Sequence, residues 1–289
     1  MLNFKIVKSV ILFIFIIFCF SQKSYGTLKN STEGADVPVC SSTGTFMTAN
    51  GDCRHTPTKY EVNIFEMGLC TNHPFTDDGT KTDLVTMNKT SCTTTFLATD
   101  QTNGFAVDIA TGIGGSLALD GTNTRPANGT YGYPYIILGK NFTINVAATA
   151  SNGNTYYGKS DGTLVTVEGN SSDRVDPLTN FSGGECVSGY VGATIPIGTI
   201  DAFLTNAALE RSHHTEFTNP NCDKNGKLVG IINLTTPFTI TQNTLKLQFN
   251  FTVTDYGVNL QDTNNNSLPD SIGSAPFSGS FTITDAPQQ

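Results

Sequence analysis

Apolar and polar residues alternate along many short stretches of this chain. The clearest examples cover residues 60–64, 142–146, 164–167, 244–254 and 277–284. Successive side chains of a β-strand point to opposite faces of the sheet, so a period of two is typical of a half-buried strand. The pattern therefore predicts a protein built from many short β-strands.

Turn sequences separate these stretches at short intervals. Asn-Gly pairs occur at five places and Asp-Gly pairs at three. Both pairs tolerate the positive φ angles of tight hairpin turns. Helix-forming residues are sparse, and one short helix is predicted over residues 202–211, capped by Asp201. The predicted fold class is an all-β, antiparallel β-sandwich of the jelly-roll or immunoglobulin-like kind, stapled by disulfides, with one or two sandwich domains.

The N-terminus has the three regions of a secretory signal peptide. Lys5 and Lys8 supply positive charge, the run Val10–Phe20 is apolar, and small residues stand at Ser24 and Gly26. Eleven apolar residues at ~1.5 Å each reach about half of a ~30 Å hydrocarbon layer, which disfavours a membrane-spanning helix. We expect cleavage after Gly26 and no transmembrane span in the mature chain. The expected location is secreted or on the extracellular surface, or the periplasm if the source is bacterial.

The mature chain is long enough for two domains. Four of its six cysteines lie before residue 93, and the Gly- and Pro-containing stretch Asp120–Thr130 resembles a linker. The predicted division is a Cys-rich N-terminal β domain at 27–125 and a C-terminal β-sandwich domain at 126–289.

Cysteine usage agrees with export. Six cysteines remain after residues 1–26 are removed, and an even number in an oxidising compartment predicts three disulfides. Sequence does not choose among the 15 pairings that six cysteines allow. Pairing between neighbours is our prediction, and it joins Cys40 to Cys53, Cys70 to Cys92 and Cys186 to Cys222.

The charge balance narrows the class of partner. The chain carries a formal charge of −8, and loss of the three lysines in residues 1–26 makes the mature chain more acidic. An acidic chain with scattered basic residues is poorly suited to a phosphate backbone, so nucleic acid is not an expected partner. Extracellular glycans or other surface proteins are the expected partners.

Oxygen-bearing residues recur at alternate positions near the C-terminus, in the stretch from Asp262 to Asp270. Such spacing can wrap hard oxygen ligands around a calcium ion. The stretch resembles the calcium loop of the thrombospondin type 3 repeat, with Ser267 in place of the expected Gly. The resemblance implies a calcium site, and the alternative is a solvated Asn-rich loop. The implied ligands are Asp262, Asn264, Asn266, the Leu268 carbonyl and Asp270.

Tyrosines stand at every second position in the segment Tyr131–Tyr135. On one strand, Tyr131, Tyr133 and Tyr135 share a face, and an exposed face would form an aromatic ligand-binding strip. Pro134 suggests an edge strand. Core packing of the three rings is the alternative interpretation, since alternation does not tell which face is buried.

No sequence motif identifies an enzyme, and His213, His214 and Glu216 lack the spacing of a zinc site. A non-enzymatic protein is expected. The first hypothesis is a secreted or cell-surface structural or adhesion protein. The second is a calcium-dependent carbohydrate-binding, lectin-like module, and the third is an extracellular hydrolase with a site assembled from distant residues.

Overall fold

A computed structural model describes residues 37–41, 44–75, 85–113, 116–179, 181, 190–195, 197–211, 226–275 and 277–285. The predicted signal peptide, the predicted Cys186–Cys222 pair and the histidines at 213 and 214 lie outside these ranges.

Just over half of the described residues lie in β-strands, and no α-helix occurs among them. Two 3-10 turns occur, η1 at Ile109–Gly112 and η2 at Glu168–Asn170. The strands, numbered in chain order, are β1 Asp52–His55, β2 Lys59–Cys70, β3 Val85–Thr86, β4 Cys92–Ala98, β5 Phe105–Asp108, β6 Gly121–Asn123, β7 Gly129–Tyr131, β8 Tyr133–Gly139, β9 Asn141–Asn145, β10 Ala147–Thr149, β11 Thr155–Gly158, β12 Leu164–Val165, β13 Arg174–Pro177, β14 Tyr190–Ile195, β15 Gly198–Thr205, β16 Glu210–Arg211, β17 Lys227–Leu234, β18 Phe238–Ile240, β19 Thr244–Thr252, β20 Val258–Gln261, β21 Ser271–Ser274 and β22 Ser278–Asp285.

The largest sheet has ten strands and is organised around β2. Its main order is β13-β9-β2-β8-β17-β15-β14. β4 and β5 attach on the remaining side of β2, and β6 pairs with β4. β8 and β9 pair with successive segments of β2, and so do β4 and β5. Each of these pairings is antiparallel. The predicted all-β, antiparallel fold class is therefore confirmed.

Apolar side chains cover both faces of this large sheet. On the first face, residues such as Ile64 and Leu138 pack with Leu260 and Ile272 of the three-stranded β1-β20-β21 sheet and with Phe249 of the β19-β22 ribbon. The smaller sheets therefore form a second layer over this face, in a sandwich-like arrangement. A separate cluster on the other face contains Phe65, Phe75, Met87, Tyr135, Ile137, Phe203, Val229 and Ile231.

The helix predicted over residues 202–211 is wrong. Asp201 and residues 202–205 belong to β15, which lies between β14 and β17 in the large sheet. Leu204 packs in the core of the first face and Phe203 in the cluster of the second face. A strand satisfies both contacts because neighbouring side chains alternate between faces, and this burial outweighs the local helix preference.

The domain boundary predicted between residues 125 and 126 does not separate two sheets or two cores. β2, which precedes it, pairs with β8, which follows it, at six positions between Ile64 and Cys70. The core of the first face likewise contains residues from Phe46 to Ile272. The predicted boundary was based on the positions of the cysteines and on local composition. Neither of these reveals backbone pairing between strands that are distant in the chain.

Two of the three predicted disulfides are present among the described residues. Cys40 bonds to Cys53, and Cys70 bonds to Cys92. Cys70 and Cys92 are directly opposite each other at the end of the β2–β4 pair, so their bridge joins two neighbouring strands of the large sheet. Cys53 and Cys70 are both almost fully buried, which protects each bridge from solvent reductants.

Removing the Cys70–Cys92 bridge by a double Cys→Ala change should lower the free energy of unfolding by about 3 kcal/mol. The bridge closes a separation of 22 residues, and a loop of that size restricts the unfolded chain by roughly this amount. Urea unfolding of the purified protein measures the change. An unfolding free energy equal to that of the wild type would contradict a stabilising role for this bridge.

Candidate functional site

The predicted calcium loop is the connection between two paired strands. β20 and β21 are antiparallel, with Gln261 opposite Ser271, so residues 262–270 form the hairpin loop between them. The Asp270 N–H donates to the Gln261 carbonyl at 2.9 Å and closes the loop at its base. The two strands therefore hold both ends of the loop at a fixed separation.

The loop backbone adopts the tight conformation that its sequence only partly favours. Asn265 has φ 63° and Ser267 has φ 62°. Left-handed conformations are uncommon for residues other than glycine, although asparagine tolerates them better than most. Ser267 stands where calcium loops of this spacing carry a glycine for the sharp turn. The chain thus makes the turn at Ser267 without the glycine.

The carboxylate of Asp262 organises the loop. Its side chain is buried, with 3% of its surface exposed. Oδ1 accepts the N–H groups of Asn264 and Asn266, each at 3.2 Å, and Oδ2 accepts the N–H groups of Ser267 at 2.7 Å and Asn50 at 3.1 Å. Two carboxylate oxygens offer about four lone-pair positions, so the four donors saturate Asp262.

Asp262 also ties the hairpin loop to the start of β1. Its backbone N–H donates to the Gly51 carbonyl at 3.0 Å, next to the contact from Asn50. Burial by itself raises the pKa of Asp262, but the backbone donors from Ser267, Asn266, Asn50 and Asn264 outweigh burial and hold the pKa below its ordinary value.

The remaining predicted ligands divide between the two ends of the loop. Asp270 accepts the Thr263 N–H at 3.0 Å and the Thr263 hydroxyl at 2.8 Å. Asn266 Oδ1 accepts the Leu268 N–H at 2.8 Å, and Asn264 and Asn266 are exposed. The loop therefore gathers Asp262, Asn264 and Asn266 in one turn, while Asp270 is bound to Thr263. Leu268 packs against the core of the first face.

The three predicted binding tyrosines do not form an exposed strip. Tyr131 lies on β7 and is buried, and its hydroxyl donates to the Ala127 carbonyl at 2.9 Å. Tyr135 lies on β8, is buried, and packs in the cluster of the second face, with half-buried Tyr133 beside it. β8 is an interior strand, not an edge strand. Its pairing with β17 covers Tyr135 to Gly139 and does not include the neighbouring Pro134. The core-packing interpretation describes these rings.

A buried carboxylate that sequence reasoning missed lies beneath Tyr135. Glu66 Oε1 accepts the Tyr135 hydroxyl at 2.6 Å and the Thr94 hydroxyl at 2.8 Å, and Lys89 Nζ contacts both oxygens at 3.0 and 2.9 Å. Burial raises the pKa of Glu66, but these donors outweigh it and the net pKa is lowered. A single acidic residue within the otherwise apolar stretch Ile64–Cys70 of β2 was the only sequence signal. The network is internally satisfied, which favours a structural role.

An apolar groove of about 640 Å³ runs along β19. One wall consists of consecutive residues 246–254, and no residue of β22 lines it, so the groove follows the edge of β19 that faces away from β22. Among the described residues, no strand pairs with that edge. The opposite wall contains Ile64, Met67, Val107, Ile109, Leu117 and Leu119.

Exposed apolar residues lie at this groove. Ile113 is 49% exposed and Leu117 39% exposed, and both line it. Leu245, at the beginning of β19 beside the lining residue Lys246, is 69% exposed. Clustered exposed apolar side chains on a protein surface mark interaction sites more often than isolated ones do.

Other chemistry is sparse in the described ranges. No group of three or more His, Cys, Asp or Glu side chains in these ranges is arranged to hold a metal ion. In the same ranges, no helix has the length and apolar character needed to cross a bilayer. Comparison with protein-family models, with curated proteins and with solved structures finds no match to this chain. The loop of residues 262–270 and the groove along β19 are therefore the two candidate functional sites.

The Asp262→Asn variant tests the organising role of the carboxylate. An amide has one acceptor oxygen, and its NH2 group would face backbone donors, so we expect a loss of about 1–3 kcal/mol in the free energy of unfolding at pH 7. The pKa of Asp262 is lower in the folded than in the unfolded protein, so its contribution is present above pH ~4 and is lost as the pH falls through the folded-state pKa.

The difference between wild type and Asp262→Asn should therefore shrink on acidification, as measured by urea unfolding at pH 7 and pH 3. Asp120→Asn, at an exposed carboxylate with one hydroxyl contact from Thr99, is the matched control and should change stability little. If wild type and Asp262→Asn differed in unfolding free energy by the same amount at pH 7 and pH 3, the result would count against a hydrogen-bonded, ionised Asp262.

Proposed function

We propose that this chain is an exported structural or adhesion protein of the cell surface, whose β-scaffold binds an extended segment of another protein in the groove beside β19. The observation that carries the proposal is the coincidence of an unpaired strand edge with an apolar groove along the same strand. Export is supported by the disulfides Cys40–Cys53 and Cys70–Cys92, since such bonds persist in oxidising compartments.

The chemistry of the groove favours an extended polypeptide over other ligands. A free strand edge presents a row of N–H and C=O groups, which an added strand can pair with. The facing wall is mostly apolar, with Val107, Ile109 and Leu119 among its residues and Ser116 and Asn123 as polar members, so the added strand needs apolar side chains on its inward face. A glycan would leave these apolar groups in contact with its hydroxyls. The partner is therefore an extended segment with apolar residues at alternate positions.

A labelled peptide of alternating Thr and Val, KTVTVTVTVTK, is a suitable probe for this groove. We expect binding that raises fluorescence anisotropy and slows hydrogen exchange of the β19 amides. The same peptide with Pro in place of its central Thr should not bind, because Pro removes a ladder donor and disfavours a paired strand.

A matched pair of variants locates the binding. Leu117→Asp places a charge at the groove wall and should weaken binding at least about tenfold, or ~1.4 kcal/mol. Val175→Asp places the same charge on β13, where Val175 is 56% exposed and does not line the groove, and should bind as the wild type does. Equal binding by the two variants, or equal binding of the Pro-containing peptide, would refute the proposal.

The conformation of residues 262–270 favours a second candidate function, that of a calcium-dependent carbohydrate-binding module. The positive φ angles at Asn265 and Ser267 bend the loop as calcium loops bend. A bound ion would compete with the amide donors that saturate Asp262, so the affinity should be low, with a Kd of about 10⁻⁴–10⁻³ M. The buried Tyr131 and Tyr135 leave this candidate without the aromatic strip that was predicted for sugar contact.

Calcium at 10 mM should stabilise the folded protein by about 1.4–2.7 kcal/mol if the Kd lies in that range. Thermal unfolding with calcium, with magnesium and with EGTA measures the effect. Asp270→Asn should abolish the calcium-specific gain and Asp120→Asn should keep it. A gain shared by calcium and magnesium, or retained in Asp270→Asn, would exclude this loop as the site, and glycan-array binding that resists EGTA would exclude the lectin function.

A further inference from the structure

Arg54 lies on the side of the small β1-β20-β21 sheet that faces away from the core of the first face. Across the three strands, Cys53, Leu260 and Ile272 are opposite one another and pack into that core. Arg54 and Asn259 are directly opposite each other in the next row, and Gly273 completes the row on β21. Because side chains alternate along a strand, this second row points to the other face.

This row contains three buried polar atoms without hydrogen-bond partners. Arg54 is 7% exposed, and its Nε and Nη1 atoms are buried and unpartnered. Asn259 Oδ1, on the strand beside it, is also buried and unpartnered. The Arg54 guanidinium is stacked 4.3 Å from the centroid of the Tyr256 ring. Stacking uses the flat face of a guanidinium, so it leaves the in-plane N–H donors without a hydrogen bond.

A buried guanidinium needs a counter-charge. Arginine stays protonated in proteins, and an unpaired buried charge is strongly unfavourable. Among the described residues, no carboxylate forms a salt bridge with Arg54. Asp176, on the far side of Gly273, accepts Arg174 Nη2 at 3.0 Å and the Ser274 N–H and hydroxyl at 2.6 and 2.8 Å. Asp176 is therefore committed to other donors.

The end of the row on β21 carries no side chain, because the residue there is Gly273. A Cβ built on Gly273 meets only one atom within 4 Å, Asp176 Oδ2 at 3.7 Å. The unpartnered donors of Arg54 and the unpartnered acceptor of Asn259 lie on the other two strands of the same row. A matching ligand has anionic oxygens for Arg54 and one O–H or N–H for Asn259.

We propose that Arg54 and Asn259 form a binding site for a small oxyanion beside the Tyr256 ring. Protonated inorganic phosphate has the required chemistry, since it offers anionic oxygens and a hydroxyl together. A carboxylate of the chain itself is a second source of the same oxyanion. Glu33 and Asp36, which lie outside the described residues, precede Pro38, whose carbonyl accepts the Arg54 N–H at 2.8 Å.

Thermal unfolding of the full mature chain in increasing sodium phosphate, at pH 7 and constant ionic strength, tests the site. Wild type should gain at least about 3 °C in Tm, because a ligand that binds only the folded state stabilises it. Sulfate, which lacks a hydroxyl at pH 7, should have a smaller effect. Arg54→Met should lose the response to phosphate.

The matched control is Arg125→Met. Arg125 has three hydrogen-bond partners on the surface, the Pro126 carbonyl, Asn128 and the Thr241 carbonyl, so the control should keep the phosphate response. Titration calorimetry of wild type and Arg54→Met with phosphate provides a readout that is independent of folding stability.

The double variant Glu33→Gln, Asp36→Asn separates the two sources of the oxyanion. If phosphate from solution occupies the site, wild type and double variant respond alike. If a carboxylate of the chain occupies it, wild type is insensitive to phosphate, and the double variant is less stable and becomes phosphate-sensitive. The proposal is overturned if neither protein responds to phosphate, or if Arg54→Met has a higher Tm than wild type in every buffer, which would mean that Arg54 has no counter-ion.

Discussion

Backbone pairing between β2 and β8 holds the two halves of this chain together. Strands from both halves attach to this pair, since β2 also binds β4, β5 and β9 while β8 also binds β17. Because β2 and β8 lie inside the sheet, their N–H and C=O groups are paired away from water, and their side chains are buried on both faces. The core of the first face, the cluster of the second face and the Cys70–Cys92 bridge all depend on this ladder.

The register of β2 against β8 shifts between Ile64 and Glu66. A shift of this kind inserts an extra residue and lets neighbouring side chains change their relation to the two faces. Ile64 packs in the core of the first face and Phe65 in the cluster of the second face. Glu66 reaches the Tyr135 hydroxyl, and Thr94 and Lys89 complete its hydrogen bonds. The irregularity thus places a carboxylate in the sheet with its partners at hand.

The loop of residues 262–270 and the row at Arg54 lie on the same small sheet and differ in whether the buried charge is hydrogen-bonded. Asp262 is surrounded by four backbone donors, so its negative charge is stabilised within the chain. Arg54 has aromatic contact with Tyr256 and no hydrogen bond at Nε or Nη1. A satisfied charge stabilises the fold alone, whereas an unsatisfied one implies a further component. The second case therefore points to a ligand and the first does not require one.

Local sequence patterns determined the features that depend on residues close together in the chain, namely individual strands and two of the disulfides. The alternation from Leu245 to Val253 predicted β19, and the pairings of Cys40 with Cys53 and of Cys70 with Cys92 followed from proximity along the chain. Tertiary structure decided the rest. Residues 202–205 became a strand because Phe203 and Leu204 are needed on opposite faces of the large sheet.

Tyr131 and Tyr135 became core residues for a similar reason, because packing against other apolar side chains buries both rings, and Tyr133 is half-buried beside Tyr135. The groove along β19 and the Arg54–Asn259 row bring together residues distant in the chain, so no local pattern reveals them. Alternation specifies that two faces exist, but only the packing of one sheet on another specifies which face is buried, which edge is left unpaired and which charge lacks a partner.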